Sequence, residues 1–226
     1  MTETKNLSLQ HCIRPANQAN APLLLLMHGY GSNENDLFSF SPELDERIFI
    51  VSARAPYDLP PYGAAWYAIN FDAAGGKFSD LKQARESMQL IRTFIDELKV
   101  AYDIDPENLN ILGFSQGAIL SYALSLSNPD LFKNVVAMSG YVNEDLVEGR
   151  AGLNARFRES ENPSNYFISH GTMDQVIPFD WAKKAIPLMD EARADYIFKD
   201  YPAGHGVARD NFYDMKKWLE QRVLNF

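Results

Sequence analysis

Leu23, Leu24, Leu25, Leu26 and Met27 follow one another with no polar break, the pattern of a strand covered on both faces. Ile48, Phe49, Ile50 and Val51 repeat it, and predict a second buried strand over 47–53. Residues 6–13 alternate apolar with polar, as an edge strand does, and Arg14-Pro15 closes them. A helix is expected over 36–44. The period changes over 80–102, where Leu81, Ala84, Met88, Ile91, Ile95 and Leu98 recur at steps of three and four. That spacing gives one apolar stripe on a helix. Asp105-Pro106-Glu107 reads as a break. An apolar strand from Leu109 then runs into a helix with Ile119, Tyr122, Ala123 and Leu126 on one face, ended by Asn128-Pro129. Strands follow at 134–138, 166–169 and 196–198, with a helix over 179–192 and a closing one ending near 224.

Strand and helix alternate along the whole chain, which predicts an α/β fold with a mainly parallel central sheet and helices on both faces. No repeat or linker divides the chain, so one domain over 1–226 is expected. Two stretches lack a period. Residues 56–79 are rich in Pro, Gly and aromatics, among them Tyr57, Trp66, Tyr67, Phe71, Gly75 and Gly76. Residues 140–162 are polar and irregular, with room for a short helix. Long ordered loops of this kind are usually functional, and both are read as walls of a substrate cleft. The other reading of the aromatics is that they cap a sheet edge.

Composition narrows the class. A hydrophobic share of 46% and a charged share of 23% are those of an ordinary globular protein. A net charge of −9 argues against nucleic acid or an anionic membrane as a partner. Cys12 is the only cysteine, which rules out an internal disulfide and a cysteine-based metal site, and its place in a strand suggests an inert thiol. The run 23–27 is too short to span a bilayer, and residues 1–6 lack the form of a signal peptide, so no stable membrane insertion and a cytoplasmic location are expected.

The chemistry starts at Gly113-Phe114-Ser115-Gln116-Gly117, between a strand and a helix. There Gly-x-Ser-x-Gly reads as a sharp turn that lifts the Ser115 hydroxyl over the sheet edge. A Cβ at 113 or 117 would collide with its neighbours at such a turn. Gln116 follows the serine, and its backbone N–H faces a developing oxyanion; a change of its side chain is therefore expected to be mild. His28-Gly29-Tyr30-Gly31 after the first buried strand leaves the Tyr30 N–H as a second donor, or is an ordinary turn braced by a buried His28. Serine also needs an imidazole and a carboxylate to orient it. Of the four histidines, His205 in Gly204-His205-Gly206 sits in the most open loop and is the choice of base over His11, His28 and His170. Asp174, four residues past a strand, is the choice of acid, with Asp195 and Asp200 as rivals that flank the last strand.

The blocks 26–37, 113–117, 170–178 and 204–206, together with Ala65-Trp66-Tyr67, resemble the phospholipase/carboxylesterase family of α/β-hydrolases, a group that includes the acyl-protein thioesterases. The order Ser115, Asp174, His205 is also that of α/β-hydrolases. The resemblance implies an α/β-hydrolase fold and a serine esterase acting on small-molecule esters, with Ser115, Asp174 and His205 as its triad. Tyr30 and Gln116 would supply the oxyanion hole, with no metal or cofactor. Trp66, Tyr67 and Val176 are the expected substrate contacts. Thioesterase or lysophospholipase action uses the same machinery, and a catalytically inactive binding module on the same fold is the reading from another class. Members often pair, so a homodimer is an implied partner. Two positions depart from the family pattern. Ala118 stands where the family repeats Gly, and Tyr30 stands where the thioesterases carry Leu, so long-chain protein deacylation is not carried over.

Overall fold

The computed structural model of the protein describes residues 4–71, 77–161 and 163–224. In chain order the elements are β1 (His11–Arg14), β2 (Ala21–Met27), α1 (Asn35–Phe38), β3 (Phe49–Ala53), β4 (Tyr57–Leu59), β5 (Gly63–Ala65), β6 (Ile69–Phe71) and β7 (Lys77–Ser79). Then come α2 (Leu81–Ala101), β8 (Ile104–Phe114), α3 (Gln116–Ser127), β9 (Asn134–Met138) and α4 (Leu153–Glu159). The last are β10 (Asn165–Gly171), α5 (Phe179–Lys183), α6 (Ala185–Ala192), β11 (Tyr196–Tyr201) and α7 (Arg209–Val223). One sheet of seven strands runs β1-β3-β2-β8-β9-β10-β11. Among the described residues its β1–β3 pair is antiparallel and its other pairs are parallel.

Strand alternation sends the apolar runs to two faces. Leu23, Leu25 and Met27 of β2 pack with Val51, Ile111 and Val135 beneath α2 and α3. Leu24 and Leu26 face the other way, with Ile50, Leu112, Val136 and the Met215, Leu219 and Val223 stripe of α7. Burying each such side chain contributes on the order of 1.5–3 kcal/mol. The 23–27 run is apolar throughout because both faces are roofed.

The helix expected over 80–102 forms as α2, with the Asp80 carboxylate accepting from the Gln83 N–H at its N-terminus. Other expectations shift. The first strand begins only at His11, since its ladder on β3 runs from His11 opposite Ala53 to Arg14 opposite Ile50. Upstream, the Lys5 and Ser8 amides bond Tyr102 and Glu97 instead. The segment 36–44 divides into α1 and a 3-10 turn at Ser41–Glu43. Asp105-Pro106-Glu107 does not break the chain: β8 passes through it, with a register irregularity against β2. The helix expected over 179–192 splits into α5 and α6, because Pro187 has no N–H to offer Lys183, four residues back. α3 is buried from Gln116 to Leu126 rather than on one face. Its serines turn inward, Ser121 donating to Gly117 O and Ser125 to Ser121 O, both at 2.8 Å.

The segment 56–79, expected as one irregular wall, forms two antiparallel hairpins, β4–β5 and β6–β7, while Gly75 and Gly76 lie outside the described residues. The segment 140–162 holds 3-10 turns at Glu144–Leu146 and Arg150–Gly152 and the helix α4. After β2 the chain goes to one side of the sheet for β3, and β8 returns on the other side of β2. The crevice at the C-terminal ends of β2 and β8 is thus the topological switch point, where sheets of this kind hold ligands.

Candidate active site

Ser115 sits at that crevice with φ 52° and ψ −116°, a conformation that costs a non-glycine residue energy. The fold enforces it from both sides. A Cβ on Gly113 would lie 2.5 Å from the Gly117 backbone and from Ser121 Oγ, and one on Gly117 would lie 2.1 Å from Met27 O. The Ser115 N–H donates to Met138 O at 2.9 Å, which ties the turn to β9.

His205, in the loop between β11 and α7, reaches Ser115 with its Nε2 at 3.0 Å from Oγ. Its Nδ1 lies 2.7 Å from Asp174 Oδ2. Facing a carboxylate, Nδ1 carries the proton, so the Nε2 lone pair is left to accept from the Ser115 hydroxyl. The ring packs against Phe114, with centroids 5.0 Å apart. Gly171 permits the approach of this loop: a Cβ there would stand 2.4 Å from the Ala203 and Gly204 carbonyl oxygens. The Thr172 and Met173 amides bond Tyr201 O and Ala203 O, fastening the Asp174 loop to the His205 loop.

The Asp174 side chain is fully buried and accepts hydrogen bonds on both oxygens. Oδ1 accepts from the Val176 N–H at 2.8 Å and the Ile177 N–H at 2.9 Å. Burial pushes this carboxyl up, but the hydrogen bonds from His205, Ile177 and Val176 and the His205 charge outweigh it, leaving the group below its ordinary value. The rivals lie elsewhere, Asp195 paired to Arg222 at 2.8 Å and Asp200 exposed on β11.

Tyr30 and Gln116 face the same crevice. Gln116 opens α3 and Tyr30 stands in the turn after β2, so neither backbone N–H belongs to a helix or strand ladder. The first hairpin closes on this turn: the Gly31 N–H donates to Ala64 O at 2.9 Å, and the Ala64 N–H to Ser32 O at 2.8 Å. His28 braces it from below. Its Nε2 accepts from the Ala55 N–H at 3.1 Å, so Nδ1 carries the proton and donates to Gly29 O at 2.7 Å. Burial lowers the His28 pKa.

Of the three residues expected to contact substrate, the structure places two in the lining of the cleft and one outside it. Val176, half exposed, lines the cleft rim. Tyr67 lines its floor, where burial pushes its hydroxyl up and keeps it a neutral phenol. Trp66 does not line the cleft. It is fully buried behind the Tyr30 turn, with Nε1 donating to His28 O at 2.9 Å. A large indole behind a tight turn fills the space that the glycines leave. The Gln116 side chain also has a part that its position beside the serine did not signal. Its Oε1 accepts from the Trp66 N–H and its Nε2 donates to Tyr67 O, both at 2.8 Å, two buried bonds that a change of side chain would break.

The cleft above Ser115 and His205 has a volume of about 660 Å³, within the usual range for small-molecule sites. Ile119, Tyr141, Val142 and Trp181 make much of it apolar, and Tyr141 and Val142 are the contribution of the 140–162 segment. Among the described residues no cluster of three or more His, Cys, Asp or Glu side chains could hold a metal ion, and no helix is long and apolar enough to cross a membrane.

Residues 10–223 match the family model described as Phospholipase/Carboxylesterase. Carboxylesterase SOBER1 of Arabidopsis thaliana is 28% identical over 145 residues, 64% of this chain and 61% of that protein. The chain spans about three fifths of the length of this relative and of a second one from the same plant. Acyl-protein thioesterase 1 of Saccharomyces cerevisiae is 30% identical over 195 residues, 84% of this chain and 78% of its own. In fold, the chain is similar to esterase PE8, with a TM-score of 0.79 at 24% identity over 95% of this chain and 99% of that one.

Proposed function

The chain belongs to the phospholipase/carboxylesterase family, and from the site it carries we propose that it is a serine carboxylic-ester hydrolase acting through an acyl-serine intermediate. The observation that supports this most is one ring between two partners: His205 Nε2 is 3.0 Å from the Ser115 hydroxyl and Nδ1 is 2.7 Å from Asp174. His205 takes the Ser115 proton as Oγ attacks the ester carbonyl. The Tyr30 and Gln116 N–H groups receive the oxyanion, and each such donor is worth about 3–4 kcal/mol in the transition state. His205 then passes its proton to the departing alcohol. Water enters, loses a proton to the same ring and attacks the acyl carbon; His205 then returns that proton to Ser115 Oγ as the acid leaves.

The apolar cleft supports small or short-acyl esters as substrates. Thioester cleavage is the second reading, since a relative bears the name acyl-protein thioesterase. An ester and a thioester of the same short acyl group, assayed side by side, separate the two. A cytoplasmic location and a homodimer belong to the same reading, and cell fractionation and sedimentation test them.

Ser115→Ala is expected to lower kcat on a short p-nitrophenyl ester by about a millionfold and to abolish labelling by a fluorophosphonate, with the melting temperature kept. Turnover in that variant close to that of the unmodified protein rules the mechanism out.

A further inference from the structure

We propose that His170 is a positioning residue for the Asp174 carboxylate, a second imidazole set against the oxygen that orients His205; the proposal rests on the ester-hydrolase reading above. His170 is the penultimate residue of β10 and is fully buried. Its Nε2 lies 2.9 Å from Ile177 O and 3.2 Å from Asp174 Oδ2. Both neighbours are acceptors, so the proton resides on Nε2 and is donated to the Ile177 carbonyl, with its positive end beside Oδ2.

Residue 177 is thereby held at both ends. Its carbonyl receives the His170 N–H, and its own N–H donates to Asp174 Oδ1 at 2.9 Å. Oδ2 has His205 Nδ1 on one side, at 2.7 Å, and His170 Nε2 on the other. Without the second ring, Ile177 O loses its donor, and less opposes rotation of the carboxylate about Cβ–Cγ. Two histidines stand within 3.2 Å of the carboxylate oxygen Oδ2; Asp200, the register neighbour of His170 on β11, is exposed.

The other ring nitrogen supplies the second argument. Nδ1 of His170 is buried and has no hydrogen-bond partner among the described residues. A buried acceptor left unpaired is unfavourable, and an apolar side chain of similar size would avoid it. A ring that keeps one nitrogen unsatisfied is explained by what the opposite nitrogen does.

Two measurements decide the matter. In protein labelled with ¹⁵N-histidine, the His170 ring should read as the neutral Nε2–H tautomer; an Nδ1–H tautomer overturns the proposal whatever the activity. In steady-state cleavage of p-nitrophenyl butyrate, His170→Phe should lower kcat at least about tenfold with KM held within about twofold, as misplacement of a catalytic group does. His170→Gln returns an amide nitrogen near the place of Nε2, and should recover kcat to within about threefold of the unmodified protein. Full kcat in the Phe variant, or a folded Gln variant no faster than a tenth of the unmodified protein, overturns the proposal. Should the Phe variant not fold, the tautomer and the Gln variant decide. If the unmodified protein cleaves no ester, the function reading fails instead, and the tautomer still judges the contact.

Discussion

Gln116→Ala tests whether a side chain next to the nucleophile matters for what it holds rather than for its amide. The side chain is almost wholly buried, and its two hydrogen bonds go to the backbone of Trp66 and Tyr67, which are themselves buried. Truncation leaves one N–H and one C=O without partners, at about 1–3 kcal/mol each. It also removes a buried methylene, about 0.8 kcal/mol. Water entering the vacated space would satisfy part of the loss, so about 3 kcal/mol is the expected total. For a chain of this length that corresponds to a fall of roughly 6–12 °C in melting temperature. Because Tyr67 floors the cleft and Trp66 backs the Tyr30 turn, kcat/KM should fall about tenfold although the Gln116 N–H remains. Thermal melts and p-nitrophenyl butyrate kinetics on the same preparation read both. Gln116→Met, which keeps most of the volume, should lose nearly as much stability, since the unpaired backbone groups dominate. A Gln116→Ala protein that melts within about 2 °C of the unmodified one and keeps its kinetics refutes this reasoning.

Gly171→Ala places a Cβ against the Ala203 and Gly204 carbonyls, 2.4 Å away, and so pushes on the loop that carries His205. We expect kcat/KM to fall at least about a hundredfold and fluorophosphonate labelling to slow with it; activity close to that of the unmodified protein contradicts the geometry. His28 carries a pH dependence of stability, because burial lowers its folded pKa below the ordinary 6.5. The unfolded chain then binds the proton more readily, so stability is complete above about pH 6.5 and declines below it, by at most about 1.4 kcal/mol per unit. Urea unfolding at pH 7.5 and 5.5 should show a smaller decline in His28→Gln, and equal declines in the two proteins count against the assignment.

The local signals read well because their causes are local. Glycines at 113 and 117 are demanded by contacts within one turn and with the strand beside it, and a strand–turn–helix pattern is enough to find them. The stripe of α2 and the uninterrupted run of β2 follow in the same way from period alone. The boundaries that moved depended on partners elsewhere: β1 begins where β3 offers a ladder. Pro187 is a local signal that could have divided α5 from α6.

Trp66 shows where reading along the chain stops. Its setting, among aromatics in a segment without a period, suited the wall of a cleft. Its actual place, behind the turn at 28–31, depends on a hairpin closing onto a loop more than thirty residues upstream. The side-chain parts of Gln116 and His170 went unread for related reasons: the partners of Gln116 at 66–67 lie far upstream, and those of His170 at 174–177, though near in the chain, meet its ring only after the loop beyond β10 folds back.

The succession of central-sheet strands and of the long helices α2, α3 and α7, the turn at Ser115 and the choice of Asp174 and His205 followed from the amino-acid sequence by itself, because each is written in near-neighbour spacing. Which side chains stand behind those groups was decided only by the tertiary structure. A hydrogen bond between residues far apart in the chain leaves no periodic trace, and only the packed sheet brings its donor and acceptor within 3 Å.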